Sequence, residues 1–308
     1  LTPVKQADKL ARIIHLEDRR ELSGRLKDNF DDADPAVRAR AALAVGRIGG
    51  KGSAEPLMDL LADSVWEVAT MAATAVGFTG DRDIPLTLLE TADNLPPRMT
   101  ARAAEAAGRL ADSNSSDVLA ALKGYLSHPA PEVREKALLA LFRAGDKSAA
   151  GEIILLHQRE SDDLVRQACL YYLSLFGIPD AASVYVDYLA DPDPDLRSLA
   201  VRGMGAVNTE DARRYVSIAL NDVAPRVVAT AVAALAKSND PGIADLLTRK
   251  LAVEEDPNVI VAIIEALQRL DSETGLTEAE RVTVTFPDPP IIAATVRYSA
   301  AIRKGRAI

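Results

Sequence analysis

The chain has 308 residues, a net charge of −9 and 48% hydrophobic residues, of which few are aromatic. The acidic balance works against nonspecific nucleic-acid binding, which needs a cationic footprint, and no run approaches the roughly 18 unbroken apolar residues of a membrane span. The single cysteine, Cys169, excludes an intrachain disulfide and a cysteine-based zinc site.

Residues 1–17 read as a charged amphipathic helix suited to capping the open end of a stack. A pattern then recurs at steps of 31 to 34 residues, anchored on Val37, Val68, Met99, Val133, Val165, Leu196, Val227, Val259 and Ile291. These anchors define copies one to nine. Two residues before the anchor stands proline in seven copies (Pro35, Pro97, Pro131, Pro194, Pro225, Pro257, Pro289), and four after it a small residue in eight. A period of this length marks a solenoid of helix pairs.

In copy one, Asp34 is placed to N-cap and Pro35 to fill the first helical position. Val37, Ala41, Ala44, Val45 and Ile48 then fall on one buried stripe, and Gly49-Gly50 ends the helix. Shorter first helices are expected near residues 56–61 and over 117–126, 181–189, 211–220 and 243–251. Residues 272–290 break the rhythm. Their β-prone Val282-Thr283-Val284-Thr285-Phe286 predicts a loop or short strand before a terminal helix at 290–303. The expected organisation is one solenoid over 1–308: a cap (1–17), eight repeats (18–271), the irregular insertion (272–290) and a degenerate ninth repeat (291–308).

Asp34 with Arg38, Asp162 with Arg166 and Asp193 with Arg197 share an i,i+4 spacing. Capping aspartates whose arginines reach them, or a carboxylate of the adjacent copy, explain this better than a row of catalytic acids. As exposed pairs each would contribute only about 0.3–0.5 kcal/mol.

The Asp-Pro-x-Val-Arg start and the Ala-Ala-x-Ala-Val-Gly body resemble HEAT repeats, in particular the short alanine-rich bacterial subtype also found in phycobilin lyases. The resemblance implies an all-α, armadillo-like α-solenoid superhelix of about nine helix pairs, with the second helices lining its concave side. The opening Lys9 to Arg20 also looks like the leader of bacterial HEAT arrays fused to cyclophilin-type prolyl isomerases. That likeness implies a substrate-presenting arm, since the aromatic and arginine pattern of a cyclophilin site is missing.

Positions 3, 6 and 10 after each anchor form the expected inner face. Copies one to four place there Arg40, Arg47, Met71, Phe78, Arg102, Arg109, Lys136 and Arg143, with Glu105 the one acid. Copies five to eight are smoother, with Tyr171, Leu175, Arg202, Ala206, Thr230, Ala233 and Lys237 among them. An acidic or mixed apolar-acidic peptide suits such a groove, arginine forks taking its carboxylates. Equally, these arginines can pair with loop aspartates and merely solvate a helix face. Tyr171, Tyr172, Tyr185 and Tyr188 cluster as either core packing or contact surface, and Trp66 is expected to cover an inter-repeat junction.

Catalytic signatures are missing. His15, His128 and His157 sit in different copies without His-Glu pairs, and there is no phosphate loop, nucleophile elbow or EF-hand spacing. The expectation is a noncatalytic protein- or peptide-binding scaffold without metal or cofactor. The alternatives are the cyclophilin-type arm, a phycobilin-lyase-like enzyme, a HEAT-type DNA glycosylase, which salt-dependent duplex binding would reveal, and a purely architectural role. The first residue is Leu1, so a removed leader and a fragment are both open, and cytoplasm and periplasm are not distinguished.

Overall fold

The computed structural model describes residues 3–207, 209–238 and 240–305. Residues 306–308, the tail of the expected ninth repeat, lie outside the described residues, as do residues 1 and 2 of the expected cap. Among the described residues there are helices and turns and no strand. The chain divides into two compact units, one ending at Tyr172 and the other starting at Leu173, inside the helix Asp163–Phe176.

In the first unit, Pro3–Asp18 packs on Pro35–Ile48, which packs on Trp66–Val76, then Pro97–Leu110, then Pro131–Arg143. In the second, Pro194–Val207 packs on Pro225–Leu235, then Pro257–Arg269, then Pro289–Gly305. Helix pairs stacked in series are the α-solenoid arrangement. The anchors are buried in every copy except the sixth, where Leu196 is half-buried. Asp34 caps as expected, accepting from the Ala36 amide at 2.9 Å, and Asp256 accepts from Asn258 and Val259. Gly49 ends its helix at φ +67°, a conformation that a side chain would strain.

Small side chains set the spacing of the layers. Nine residues after the anchor, copies one, three and six carry Gly46, Gly108 and Gly205. A Cβ on Gly108 would lie 2.5 Å from Ala140 Cα, and one on Gly205 2.6 Å from Ala234 Cβ. Each alanine stands seven residues after the next anchor. The backbones therefore approach through a glycine-to-alanine step, which any larger residue would push apart. Copy four breaks this column with Phe142, and copy five with Ser174.

The arginine ladder forms between copies, not within the turn. Arg38 gives a two-pronged grip on Asp63 (2.7 and 2.8 Å), Arg134 on Glu160 (2.7 and 2.7 Å), and Arg197 on Asp222 (2.8 and 2.8 Å). Each also donates to a turn carbonyl of its own copy: Asp32, His128 and Asp191. The i,i+4 aspartates Asp34 and Asp193 are left to their backbone amides. These pairs are largely buried, with side-chain exposures of 4–15%, so the exposed-pair energy expected from the sequence does not apply: removing one partner would strand a shielded charge at a cost of about 3–5 kcal/mol.

Two local expectations also change. The short first helix near residues 56–61 is two 3₁₀ turns, Glu55–Leu57 and Asp59–Ala62. The loop or strand expected over 272–290 is instead mostly the helix Glu273–Thr285, capped by Ser272 accepting from the Gly275 amide at 3.1 Å. Gly275, Ala279 and Val282 form its buried stripe. Thr283 turns its hydroxyl back to the Ala279 carbonyl at 2.8 Å, so tertiary burial overrides β propensity.

Candidate functional site

The second-helix face of the first unit carries long side chains that largely satisfy one another. Arg40 and Arg47 converge on Glu17 of the N-terminal helix, Arg47 at 3.1 Å. Arg102 and Arg109 hold Glu105 between them at 3.1 and 2.9 Å. Burial pushes the Glu105 carboxyl up, but its arginines outweigh that and hold it below its ordinary value. The Arg109 guanidinium also lies 5.4 Å over the ring of Phe78. Lys136 pairs with Glu135 at 3.0 Å, and Met71 is half-buried. Arg143 is exposed and makes no ion pair among the described residues. The partners are thus helix glutamates rather than loop aspartates.

The aromatic cluster separates into two roles. Tyr172, Tyr185 and Tyr188 are core. The Tyr185 hydroxyl donates to the carbonyls of Leu173 (2.9 Å) and Ile178 (2.8 Å). Tyr171 stays partly exposed and stands edge-on to Phe142 at 5.1 Å. Trp66 lies under the Arg98 guanidinium of the next copy at 5.3 Å. Cys169 is fully buried, and burial pushes its thiol up to about 12, so it is inert packing.

The second unit is different. Here the same helix positions enclose an open cleft of about 610 Å³. It is lined by Leu175 and Phe176, by the short side chains of Ala206, Thr230 and Ala233, and by the cations Arg202 and Lys237. Leu175, Arg202, Ala206, Thr230, Ala233 and Lys237 are all inner-face positions of the repeat. Arg202 and Lys237 are exposed and make no ion pair among the described residues. Ser174, also on the cleft, is 1% exposed, and its Oγ has no hydrogen-bond partner. Leaving a buried hydroxyl unpaired costs about 1–3 kcal/mol.

The cleft arises from side-chain length. Ten residues after the anchor, copies one to four carry Arg47, Phe78, Arg109 and Arg143, whereas copy six carries Ala206. The sequence placed Arg202 and Leu175 on this face but did not single out Ser174. Its signal was a polar residue in a column where copies one, two, three and six have glycine. Among the described residues no group of His, Cys, Asp and Glu side chains could hold a metal ion, and no helix is long and apolar enough to cross a membrane.

Comparison with known proteins agrees with the helical architecture. A family model described as HEAT repeats matches residues 25–107 and 85–174. No curated protein matches the sequence. Among solved structures, an engineered protein is 18% identical, with 95% of this chain and 91% of that one covered and a TM-score of 0.59. The X-ray structure of Escherichia coli YibA is 18% identical over 92% of this chain and 95% of its own, with a TM-score of 0.51. The complex of CpcE and CpcF of phycocyanin lyase from Nostoc is 18% identical over 81% and 95%, at a TM-score of 0.43.

Proposed function

We propose that this chain, a member of the HEAT-repeat proteins, is a noncatalytic scaffold that holds an acidic, partly apolar polypeptide segment on its second-helix face. The observation that carries this reading is the cleft of the second unit, which Arg202 and Lys237, without an ion pair among the described residues, line together with the small Ala206, Thr230 and Ala233. Cations that have no internal carboxylate supply charge to a partner without first breaking a bond. The short side chains of Ala206 and Ala233 leave room for a chain to approach closely, and apolar area is the part of such a contact that adds affinity. Arginine at one side favours a forked carboxylate contact, and lysine adds a mobile point charge.

The first-unit ridge contributes less in this reading, because Glu17 and Glu105 already occupy most of its arginines. The test is a fluorescence-anisotropy titration of the whole chain with labelled peptides alternating Glu and Leu, and a matched set alternating Lys and Leu. The acidic set should bind, and the paired change Arg202→Gln, Lys237→Met should weaken it about tenfold or more. Equal binding of both sets, or no effect of the paired change, would remove the reading.

A further inference from the structure

Within the first unit, the N-terminal helix Pro3–Asp18 and the short helical turn Gly24–Lys27 border a cavity of about 780 Å³. Lys9, Arg12 and His15 line it from the helix and Arg25 from the turn, while Ala11, Ile13 and Leu16 supply its apolar part. Lys9 and Ile13, like Arg12 and Leu16, are four residues apart, so cations and apolar side chains share one helix face. Lys9 is neutralised by an ion pair with Asp32. Arg12, His15 and Arg25 are exposed and make no ion pair among the described residues, Arg12 having none even with Asp8 one turn earlier. Glu17 of the same helix is engaged instead by Arg40 and Arg47. Among the described residues that line the cavity there is no carboxylate, in a chain whose net charge is −9.

We propose that this cavity binds an amphiphilic anion, a small molecule whose apolar body ends in a carboxylate or a phosphate monoester. Arg12 and Arg25 come from different elements and line one space, so a single anionic head can accept from both guanidiniums, and His15 adds a ring nitrogen to the set. An anion entering here displaces no internal carboxylate from either arginine. A bare inorganic ion would leave the apolar lining unused. Ile13 is fully buried and Leu16 half-buried, and the surface they give the cavity is where a hydrocarbon body gains affinity. The volume also falls within the roughly 300–1,000 Å³ of small-molecule pockets. The site is separate from the peptide-binding cleft, and neither assignment depends on the other.

The experiment is calorimetric titration of the whole chain with decanoate, decyl phosphate, decanol and inorganic phosphate. At least one decyl anion should bind about tenfold or more tighter than decanol, as expected for one charge-assisted contact, and tighter than inorganic phosphate by a similar factor. Whichever of the two anions binds better identifies the head. The paired change Arg12→Gln, Arg25→Gln should erase the preference for anion over decanol, and so should Ala11→Glu, which sets a carboxylate in the lining. All three positions are exposed, so the melting curve should stay unchanged. The pair Arg202→Gln, Lys237→Met should leave the preference intact, which separates this site from the cleft of the second unit. Decanol binding as tightly as the anions would overturn the proposal, as would inorganic phosphate matching decyl phosphate, or a preference that survives loss of both arginines. Absence of binding by either decyl anion would overturn it too, while leaving the peptide-binding reading untouched.

Discussion

The two units use the same helix columns to opposite ends. On the first, the ridge counts six cations (Arg40, Arg47, Arg102, Arg109, Lys136, Arg143), yet Glu17, Glu105 and Glu135 engage five of them. On the second, fewer cations stand on the face, but Arg202 and Lys237 are free and a hollow lies between their helices. The charge written along a helix is therefore not the charge offered to a partner. What decides is whether a carboxylate one turn away, or on the adjoining helix, has already claimed it.

The heaviest blow to the comparison strikes the frame that both units share. Arg134→Met in the first unit and Arg197→Met in the second should each cost about 3 kcal/mol, because a shielded carboxylate loses its fork. Urea denaturation checks this, and a loss near 0.3 kcal/mol would return the ladder to the status of an exposed decoration. The same ladder sets an acid limit. The guanidiniums of Arg38 and Arg197 hold the Asp63 and Asp222 carboxyls below their ordinary value. Their contribution is complete above the ordinary carboxylate range near 3.8 and is lost as pH falls through the lowered folded values. Arg38→Met should flatten the acid limb of a stability-versus-pH curve.

Next in size is Gly108→Ala. Its Cβ would meet Ala140 at 2.5 Å, and the resulting strain of about 1–3 kcal/mol exceeds the gain of about 1 kcal/mol from better helix propensity. A melting temperature that rises instead would mean the layers are looser than their backbones indicate. Smaller still is Ala206→Arg, which gives the sixth copy the residue type of the third. It should fill the cleft and weaken peptide binding about tenfold, or roughly 1.4 kcal/mol, with little change in denaturation. The smallest expected effect sharpens the contrast from the other side. Glu105→Gln releases Arg102 and Arg109 and should raise first-unit affinity for Glu-Leu peptides only about threefold, since exposed pairs carry roughly 0–1 kcal/mol. Anisotropy on a Lys237→Met background isolates that gain.

Much of the frame was legible in the sequence because it is local. A proline two residues before a buried Val, an Asp before it and a Gly at the end each act within one turn. The helix Glu273–Thr285 was not, because Val282, Thr283, Val284 and Thr285 favour strand in isolation. What makes it helical is burial of Ala279 and Val282 in a helix that packs on Gly242–Leu251, Pro257–Arg269 and Pro289–Gly305. The ladder was half legible. Spacing identified Arg38 and Arg197, but their acceptors, 25 residues away, depend on how successive turns align. Of the site, Arg202 and Leu175 were on the right face by periodicity alone. The hollow was not readable there, since it is a difference between the length of Arg109 or Arg143 and that of Ala206 in matching positions.

The glycine-to-alanine step has a further consequence for how such a chain can change length. Gly46 meets Ala75, and Ala106 occupies the same place one period later. Excising a whole period between them would bring Gly46 onto Ala106 and rebuild the identical junction, because neither side carries a shape that only one mate can fit. Phe142 and Tyr172 have no such interchangeable counterparts, so duplication or loss of modules is tolerated up to them and resisted there.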